Sequence, residues 1–488
     1  YMYLNYRGIV RVIAIFSAVM GIAMLPSALV SLVYSEFDTV LSFTGVTIPL
    51  CILAILILKL VKPSPVPFKI RDGFLIVSFC WIAASAISSL PYVISGTIPN
   101  FIDAFFESAS GLSTTGSSVL SNIEILPKGI LFWRCFTHWL GGLGILFIAI
   151  ALLPALGFDG QAVAAAELTG PTFSKIMPKI TNTARAMYVI YITFTLTETV
   201  LLMFGGLSWF DALTHSFSTI ATGGFSNYNS SAAHFDSAYV DGIITFFMIL
   251  AGINFNLYYL GVSHGIREIT RDREFRTYIS IIGISTALVT IHTYFSGVFS
   301  TIGESFRYSI FQCVSVLTTT GYCTADFDLW PAFPKMILFL LFFVGGCSSS
   351  TGGGIKVIRV LVVFKLIKRG ILVRLHPNAI VKVKFKDRIL SIDTVQSIAG
   401  FVFLYMFILT LTTVLITLGG HDFTTALTAA ASSIGNIGPG FNAVGPTMNY
   451  GFFQAPIKLL LSFVMIAGRL EIFTLLMLLS PRFWNPNR

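Results

Sequence analysis

Long apolar runs alternate along this chain with short segments in which the charges are bunched. Eight windows contain no Asp, Glu, Lys or Arg: 12–35, 39–58, 73–102, 135–158, 242–266, 277–303, 336–355 and 394–421. Two more are interrupted only by Glu198 (186–210) and by Arg469 with Glu471 (459–481). A helix rises about 1.5 Å per residue and the hydrocarbon core is about 30 Å thick, so about 20 apolar residues cross it. The pattern predicts ten spans and an all-α polytopic membrane protein.

Composition sharpens this picture. Of 488 residues, 55% are hydrophobic and 11% charged, against about a quarter charged in a soluble domain. A water-soluble enzyme and a disordered chain are both excluded. The net charge of +9 is gathered between apolar runs, which excludes an evenly basic nucleic-acid-binding surface. With the N-terminus in the cytoplasm, the inner segments hold 25 of the 31 Lys and Arg residues, so both termini are predicted to be cytoplasmic. The six cysteines show no CxxC pair and read as buried small hydrophobes. The seven histidines form no HExxH motif or Cys/His cluster, so no catalytic metal is suggested. No nucleophile–base constellation points to an enzyme.

The outward segments between spans repeat one design. Residues 103–118, 211–226, 304–323 and 422–441 each open on an acidic residue (Asp103, Asp211, Glu304, Asp422). Each then runs through about three turns of small and apolar residues into a polar, glycine-containing hook. The hook glycines are Gly116, Gly223, Gly321 and Gly438. The chain thus divides into a leading helix pair (1–71) and four span–short helix–hook–span repeats (72–160, 161–266, 267–388, 389–488).

A run of ten to fourteen apolar residues is too short to cross the bilayer and reads as re-entrant. Its opening acid suits the positive end of the helix dipole, which leaves the carbonyl end aimed at the bilayer centre. Beyond that end the backbone is extended, and such backbone persists at membrane depth only when buried in protein or lining a water-filled cavity. Four strands around one axis present rings of carbonyls that replace an alkali ion's hydration shell. The candidate ligands are Ser113, Thr114, Thr115 and Gly116; Ile220, Ala221, Thr222 and Gly223; Thr318, Thr319, Thr320 and Gly321; and Gly435, Asn436, Ile437 and Gly438.

With these four copies the chain resembles the Trk/Ktr/HKT superfamily of potassium transporters, and its two leading spans make it most similar to the TrkH branch. The resemblance covers essentially the whole chain. It implies a bacterial inner-membrane protein with one central pathway per subunit that conducts K⁺ and Rb⁺, and no organic cofactor. It also implies a homodimer and a cytosolic, nucleotide-binding RCK-type regulator, TrkA. The fourth hook departs from the others, because Gly435-Asn436-Ile437-Gly438-Pro439 has no threonine before the glycine.

Two features lie within spans. Gly345, Gly346, Gly352, Gly353 and Gly354 flank four hydroxyl residues and Cys347. Glycine costs about 1 kcal/mol in a helix interior, so the span is predicted to break there, as a packing kink or as pore-lining backbone. The resemblance implies a gating loop below the hooks. Arg469 sits mid-span, where an arginine costs about 2.5–3.5 kcal/mol. It reads as an electrostatic barrier to cations or as an ion-pair partner of Glu471 or Glu198, and the resemblance places it in the pore. The run Lys382–Arg388 has a basic residue at every second position, either as inward positive bias or as a docking face for a cytosolic partner or anionic lipid. A passive gated pathway is the main expectation. The alternative is K⁺ uptake coupled to H⁺ or Na⁺, for which Glu198 and Glu471 are the only mid-span carboxylates.

Overall fold

A computed structural model describes residues 4–64, 68–144, 180–377, 381–385 and 388–484. Among them the chain is almost wholly helical; the one sheet is a two-residue hairpin pairing Lys384–Phe385 with Arg388–Ile389. Among the described residues, six helices are long and apolar enough to cross a membrane, and two bent pairs qualify if each counts as one span. The protein is a multi-pass membrane protein.

The leading pair comprises Tyr6–Ala23, continued after a break at Met24 by Leu25–Val33, and Phe37–Leu60. Gly21 lets the two approach closely enough for Thr47 Oγ1 to donate to its carbonyl at 2.8 Å. Phe16, Phe43, Trp81 and Trp133 bind the pair to the first repeat in one buried cluster. Leu41, Ile48, Ile52 and Leu56 on the opposite face are exposed, as lipid contact requires.

Each repeat opens with an outer helix: Ile70–Ile94, Ile180–Phe204, Arg273–Phe295 and Ile392–Leu418. The re-entrant helices follow: Phe101–Leu112, Trp209–Ile220, Ile302–Leu317 and Phe423–Gly435. Their N-termini are capped by Asn100, Ser208, Thr301 and Asp422, whose side chains accept the N–H of Ile102, Asp211, Glu304 and Thr425. Asp103, Asp211 and Glu304 occupy the first turn, whereas Asp422 is itself the cap. Its bonds with Thr425 hold the Asp422 carboxyl below the usual carboxylate range.

The inner helices are interrupted, the third where its glycines predict a break and the second and fourth at bends that the charge-free pattern does not show. The second repeat's inner helix bends by 87° between Ala238–Gly252 and Phe255–His264, and the fourth's by 115° between Ala455–Arg469 and Phe473–Leu479. The third's stops at Ala332–Leu341 and resumes as Val357–Leu375. The first's is helical over Lys128–Gly142, and residues 145–158 of window 135–158 lie outside the described residues, as does the boundary at 160/161. These interruptions have local causes. Gly252 precedes an extended Ile253, and Glu471 and Ile472 take left-handed backbone.

The basic run after Val357–Leu375 forms part of the hairpin. Val383 and Phe385 are buried against Ile358, Val362 and Ile398, while Lys382 and Lys384 face outward. Lys386 and Asp387 lie outside the described residues.

Candidate ion pathway

The four re-entrant helices end alike, and the ends set the register of the hooks. Ser113, Ala221 and Thr318 cap the first three in right-handed conformation. The next residue is left-handed in every copy: Thr114 (φ 56°), Thr222 (φ 55°), Thr319 (φ 61°) and Asn436 (φ 55°). Two residues on, a glycine is left-handed again: Gly116, Gly224, Gly321 and Gly438. One further bond recurs. Thr115, Gly223, Thr320 and Ile437 donate their N–H to the carbonyls of Ser110, Ser218, Ser315 and Ser432, at 2.8–2.9 Å.

The second hook is therefore shifted by one residue from the expectation. Ile220 is the last residue of its helix, and the segment matching Ser113–Gly116 is Ala221-Thr222-Gly223-Gly224. Gly223 is glycine for a different reason, since a Cβ there would fall 2.3 Å from the ring of His138. That ring braces the hook from behind: Phe225 N–H donates to Nε2 at 3.1 Å, and Nδ1 bonds Gly111 O at 2.6 Å. The serine six residues before the hook glycine (Ser110, Ser218, Ser315, Ser432) was the available signal for this register.

The hooks close into one ring. A Cβ on Gly116 would lie 2.0 Å from Gly223 O, one on Gly224 2.0 Å from Thr320 O, and one on Gly321 2.0 Å from Ile437 O. One on Gly438 would lie 2.7 Å from Thr115 O, which returns to the first hook. Each hook thus touches the next in chain order, through a carbonyl where any side chain would collide. Right-handed backbone at the first hook position and left-handed backbone at the second and fourth give the alternation by which carbonyl oxygens come to share one side, where their partial negative charge suits a cation. Cross-hook bonds stitch the ring: Ser117 Oγ to Gly438 O at 3.1 Å, Tyr450 N to Ser118 O at 2.8 Å, and Tyr322 OH to Phe225 O at 3.3 Å. Above the ring, a cavity lined by Gly116, Ser117, Gly224, Gly321 and Gly438 forms the outer mouth.

A buried ion pair that sequence reasoning missed supports this mouth. Arg134 and Glu107 are both fully buried, 2.8 Å apart. Glu107 also accepts Ser118 Oγ (2.9 Å) and Val119 N (3.0 Å), and Arg134 donates to Ser226 O (3.1 Å). The signal was Glu107 itself, an acid in the middle of a re-entrant helix, away from the first turn where Asp103 suits the dipole. Removing one partner strands the other in the interior. Glu107→Leu is expected to destabilise the protein by about 3–5 kcal/mol, which thermal unfolding in detergent would register.

The glycine-rich segment of the third inner helix lies directly beneath the hooks. Gly345, Gly354, Ser349 and Lys356 are left-handed, so the helix is broken as expected. Gly352 and Gly353 pack on hooks three and four: a Cβ on them would fall 2.9 Å from Thr318 O and 2.5 Å from Gly435 O. Gly353 N–H donates to Thr319 Oγ1 at 2.7 Å, and Gly346 receives Val357 N–H. The loop is held from the second inner helix by Cys347 N to Gly252 O (2.8 Å). From the third outer helix, Glu274 accepts both Ser348 N (2.6 Å) and Ser348 Oγ (2.7 Å).

Arg469 ends the first segment of the fourth inner helix. Its guanidinium donates to Thr351 O in the loop and to Gly141 O (2.8 Å) and Gly142 O at the C-terminal end of the first inner helix. A cation is favoured there by the carbonyl end of the helix dipole. Glu471 instead pairs with Arg359, and Glu198 is buried on the second outer helix.

Fold and site together define a multi-pass membrane protein whose four re-entrant repeats meet around one axis, with a glycine-rich loop packed against two of the hooks. The chain belongs to the TrkH family of cation transport proteins, whose profile matches residues 42–485; it is no enzyme. It is 35% identical to the Trk system potassium uptake protein TrkH of Halomonas elongata over 489 residues, 99% of this chain and all of that one. It is equally 35% identical to TrkH of Escherichia coli over 486 residues, again 99% of this chain and the whole relative. The crystal structure of the potassium transporter TrkH from Vibrio parahaemolyticus superimposes with a TM-score of 0.89 at 34% identity, covering 99% of this chain and all of that chain.

Proposed function

We propose that the chain conducts K⁺, and also Rb⁺, passively through the ring of hook carbonyls, and that the loop and Arg469 gate the passage. The observation that carries this reading is ring closure: four hooks meet in sequence order and return to the first, with glycine wherever a carbonyl approaches. Relatives named as potassium uptake proteins over the full length support K⁺ as the cargo. The residues we assign as ligands through their carbonyls are 113–116, 221–224, 318–321 and 435–438. Arg469 places a fixed positive charge beside the loop and raises the barrier to a cation below the ring. Both termini are assigned to the cytoplasmic side by the distribution of Lys and Arg. A homodimer regulated by a cytosolic nucleotide-binding partner of the TrkA kind completes the reading, with outward-facing Lys382 and Lys384 as docking residues.

The test is ion flux in proteoliposomes of the purified protein, comparing K⁺, Rb⁺, Na⁺ and Li⁺ with and without a pH gradient. Downhill K⁺ and Rb⁺ flux, indifferent to the pH gradient, is the expected result. Uphill movement driven by protons would overturn passive conduction in favour of coupling. A second outcome is specific to the loop. Glu274→Ala removes two charge-assisted bonds to Ser348, each typically about 1.5–3 kcal/mol. Partner-free Rb⁺ flux is expected to rise at least about tenfold, with the K⁺/Na⁺ ratio unchanged.

A further inference from the structure

The re-entrant helices carry a second repeat, visible only once their hooks are aligned. Nine residues before the left-handed hook glycines Gly116, Gly224, Gly321 and Gly438 stand Glu107, His215, Gln312 and Ala429. The equal count holds with Gly224 as the second hook glycine and not with Gly223. Glu107, His215 and Gln312 are fully buried, and each turns a polar group onto the strand that leaves its own hook. Glu107 accepts Ser118 Oγ (2.9 Å) and Val119 N (3.0 Å). His215 Nε2 meets Ser226 Oγ at 2.9 Å, and Gln312 Nε2 donates to Thr324 Oγ1 at 3.3 Å. Ser118 and Ser226 lie two residues past their hook glycines, and Thr324 lies three past its own. A carboxylate, an imidazole and an amide thus make one and the same contact. The fourth copy is held otherwise. Ala429 has no polar group, the neighbouring Thr428 Oγ1 accepts Phe441 N (3.0 Å), and Asn436 Nδ2 donates to Thr115 Oγ1 (3.0 Å) and Met465 O (2.9 Å).

We propose that His215 is a specificity-determining positioning residue, which pins the second hook at the spacing that favours K⁺ over Na⁺, as Glu107 and Gln312 do for the first and third. The proposal rests on the carbonyl-ring reading above. Asp211 O can only accept, so His215 Nδ1 donates to it at 2.8 Å and Nε2 is left to accept the Ser226 hydroxyl. The imidazole therefore ties the first turn of its helix to the departing strand. The neighbouring hooks share that hold. Arg134, paired with Glu107, donates to Ser226 O at 3.1 Å. Tyr322, the residue after the third hook glycine, donates to His215 O (3.2 Å) and Phe225 O (3.3 Å). Hooks one, two and three are thus joined from behind around His215. A carbonyl ring favours the smaller ion once its oxygens can close around it, and strands pinned beyond the ring resist that closure. A single neutral hydrogen bond contributes little to the stability of a chain this size, so the loss of this pin falls on selectivity.

The test measures K⁺ and Na⁺ flux in proteoliposomes of the purified full chain, beside thermal unfolding in detergent. His215→Leu removes both bonds and is expected to lower the K⁺/Na⁺ flux ratio about fivefold or more. His215→Gln, which copies the amide of Gln312, is expected to recover the ratio to within about twofold of wild type. An unchanged ratio in His215→Leu, whatever its thermal stability, makes His215 a packing residue and overturns the proposal. So does a His215→Gln ratio as low as that of His215→Leu. Should His215→Leu fail to fold, Ser226→Ala removes the hydroxyl alone; the same fall is expected, and an undiminished ratio there overturns the proposal. The two readings fail differently. A wild type that carries Na⁺ as readily as K⁺ sinks the selective ring and the pin with it, whereas a selective wild type beside an equally selective His215→Leu sinks the pin alone.

Discussion

Arg469→Ala is expected to raise partner-free Rb⁺ flux into proteoliposomes at least about tenfold. The guanidinium joins Thr351 O of the loop to Gly141 O and Gly142 O of the first inner helix, so it ties the cover to the opposite side of the pathway. Hydrogen bonds to charged groups are worth about 1.5–3 kcal/mol each. Losing only the one to the loop shifts a closed–open equilibrium by about one to two powers of ten. The same substitution removes a positive charge beneath the ring, which lowers the electrostatic barrier in the same direction. Arg469→Lys separates the two contributions. It keeps the charge but not the planar fork that spans two helices and a loop, so a flux near wild type means that charge dominates. A flux near that of the alanine variant means the latch dominates. Unchanged flux in Arg469→Ala would remove this residue from the gate altogether.

Gly321→Ala is expected to reduce K⁺ flux to background while the protein still inserts and folds. The added methyl would sit 2.0 Å from Ile437 O, on a residue whose φ is 82°. The left-handed conformation costs a residue with a Cβ about 1–2 kcal/mol, too little to unfold a chain of this size, so the loss falls on the pathway. Gly224→Ala is expected to behave identically, because its methyl would meet Thr320 O at 2.0 Å. Gly223→Ala acts elsewhere: its methyl collides with His138 and strains the brace behind the hook. Its thermal stability is expected to fall more than that of Gly224→Ala. If Gly223→Ala alone abolished flux and Gly224→Ala conducted normally, the register of the second hook would be wrong.

That register shows where sequence reading stopped. Span positions, the fourfold repeat and the broken third inner helix were legible, because lipid demands long charge-free runs and the three consecutive glycines 352–354 oppose a helix. Two adjacent glycines at 223 and 224 hid which one carries the turn, since the reason for Gly223 is a histidine 85 residues earlier in the chain. The partners of Arg469 were also out of reach. Glu471 and Glu198 were the carboxylates the sequence offered it, yet its guanidinium donates to the carbonyls of Thr351, Gly141 and Gly142, which no side-chain pattern announces. Glu274 was invisible for a related reason: at the cytoplasmic end of a span it reads as an ordinary first-turn acid, and only packing carries it onto Ser348. Asn436 was noticed as a departure, but its meaning depends on Thr115 and Met465, 321 and 29 residues away.

The most direct measurement is the anomalous difference density of crystals of this protein grown or soaked in a thallous salt, Tl⁺ standing in for K⁺. The account predicts a peak on the axis enclosed by the carbonyls of Thr115, Gly223, Thr320 and Ile437. Density confined to the outer mouth or to the protein surface, with those four oxygens turned away from a common axis, would contradict it.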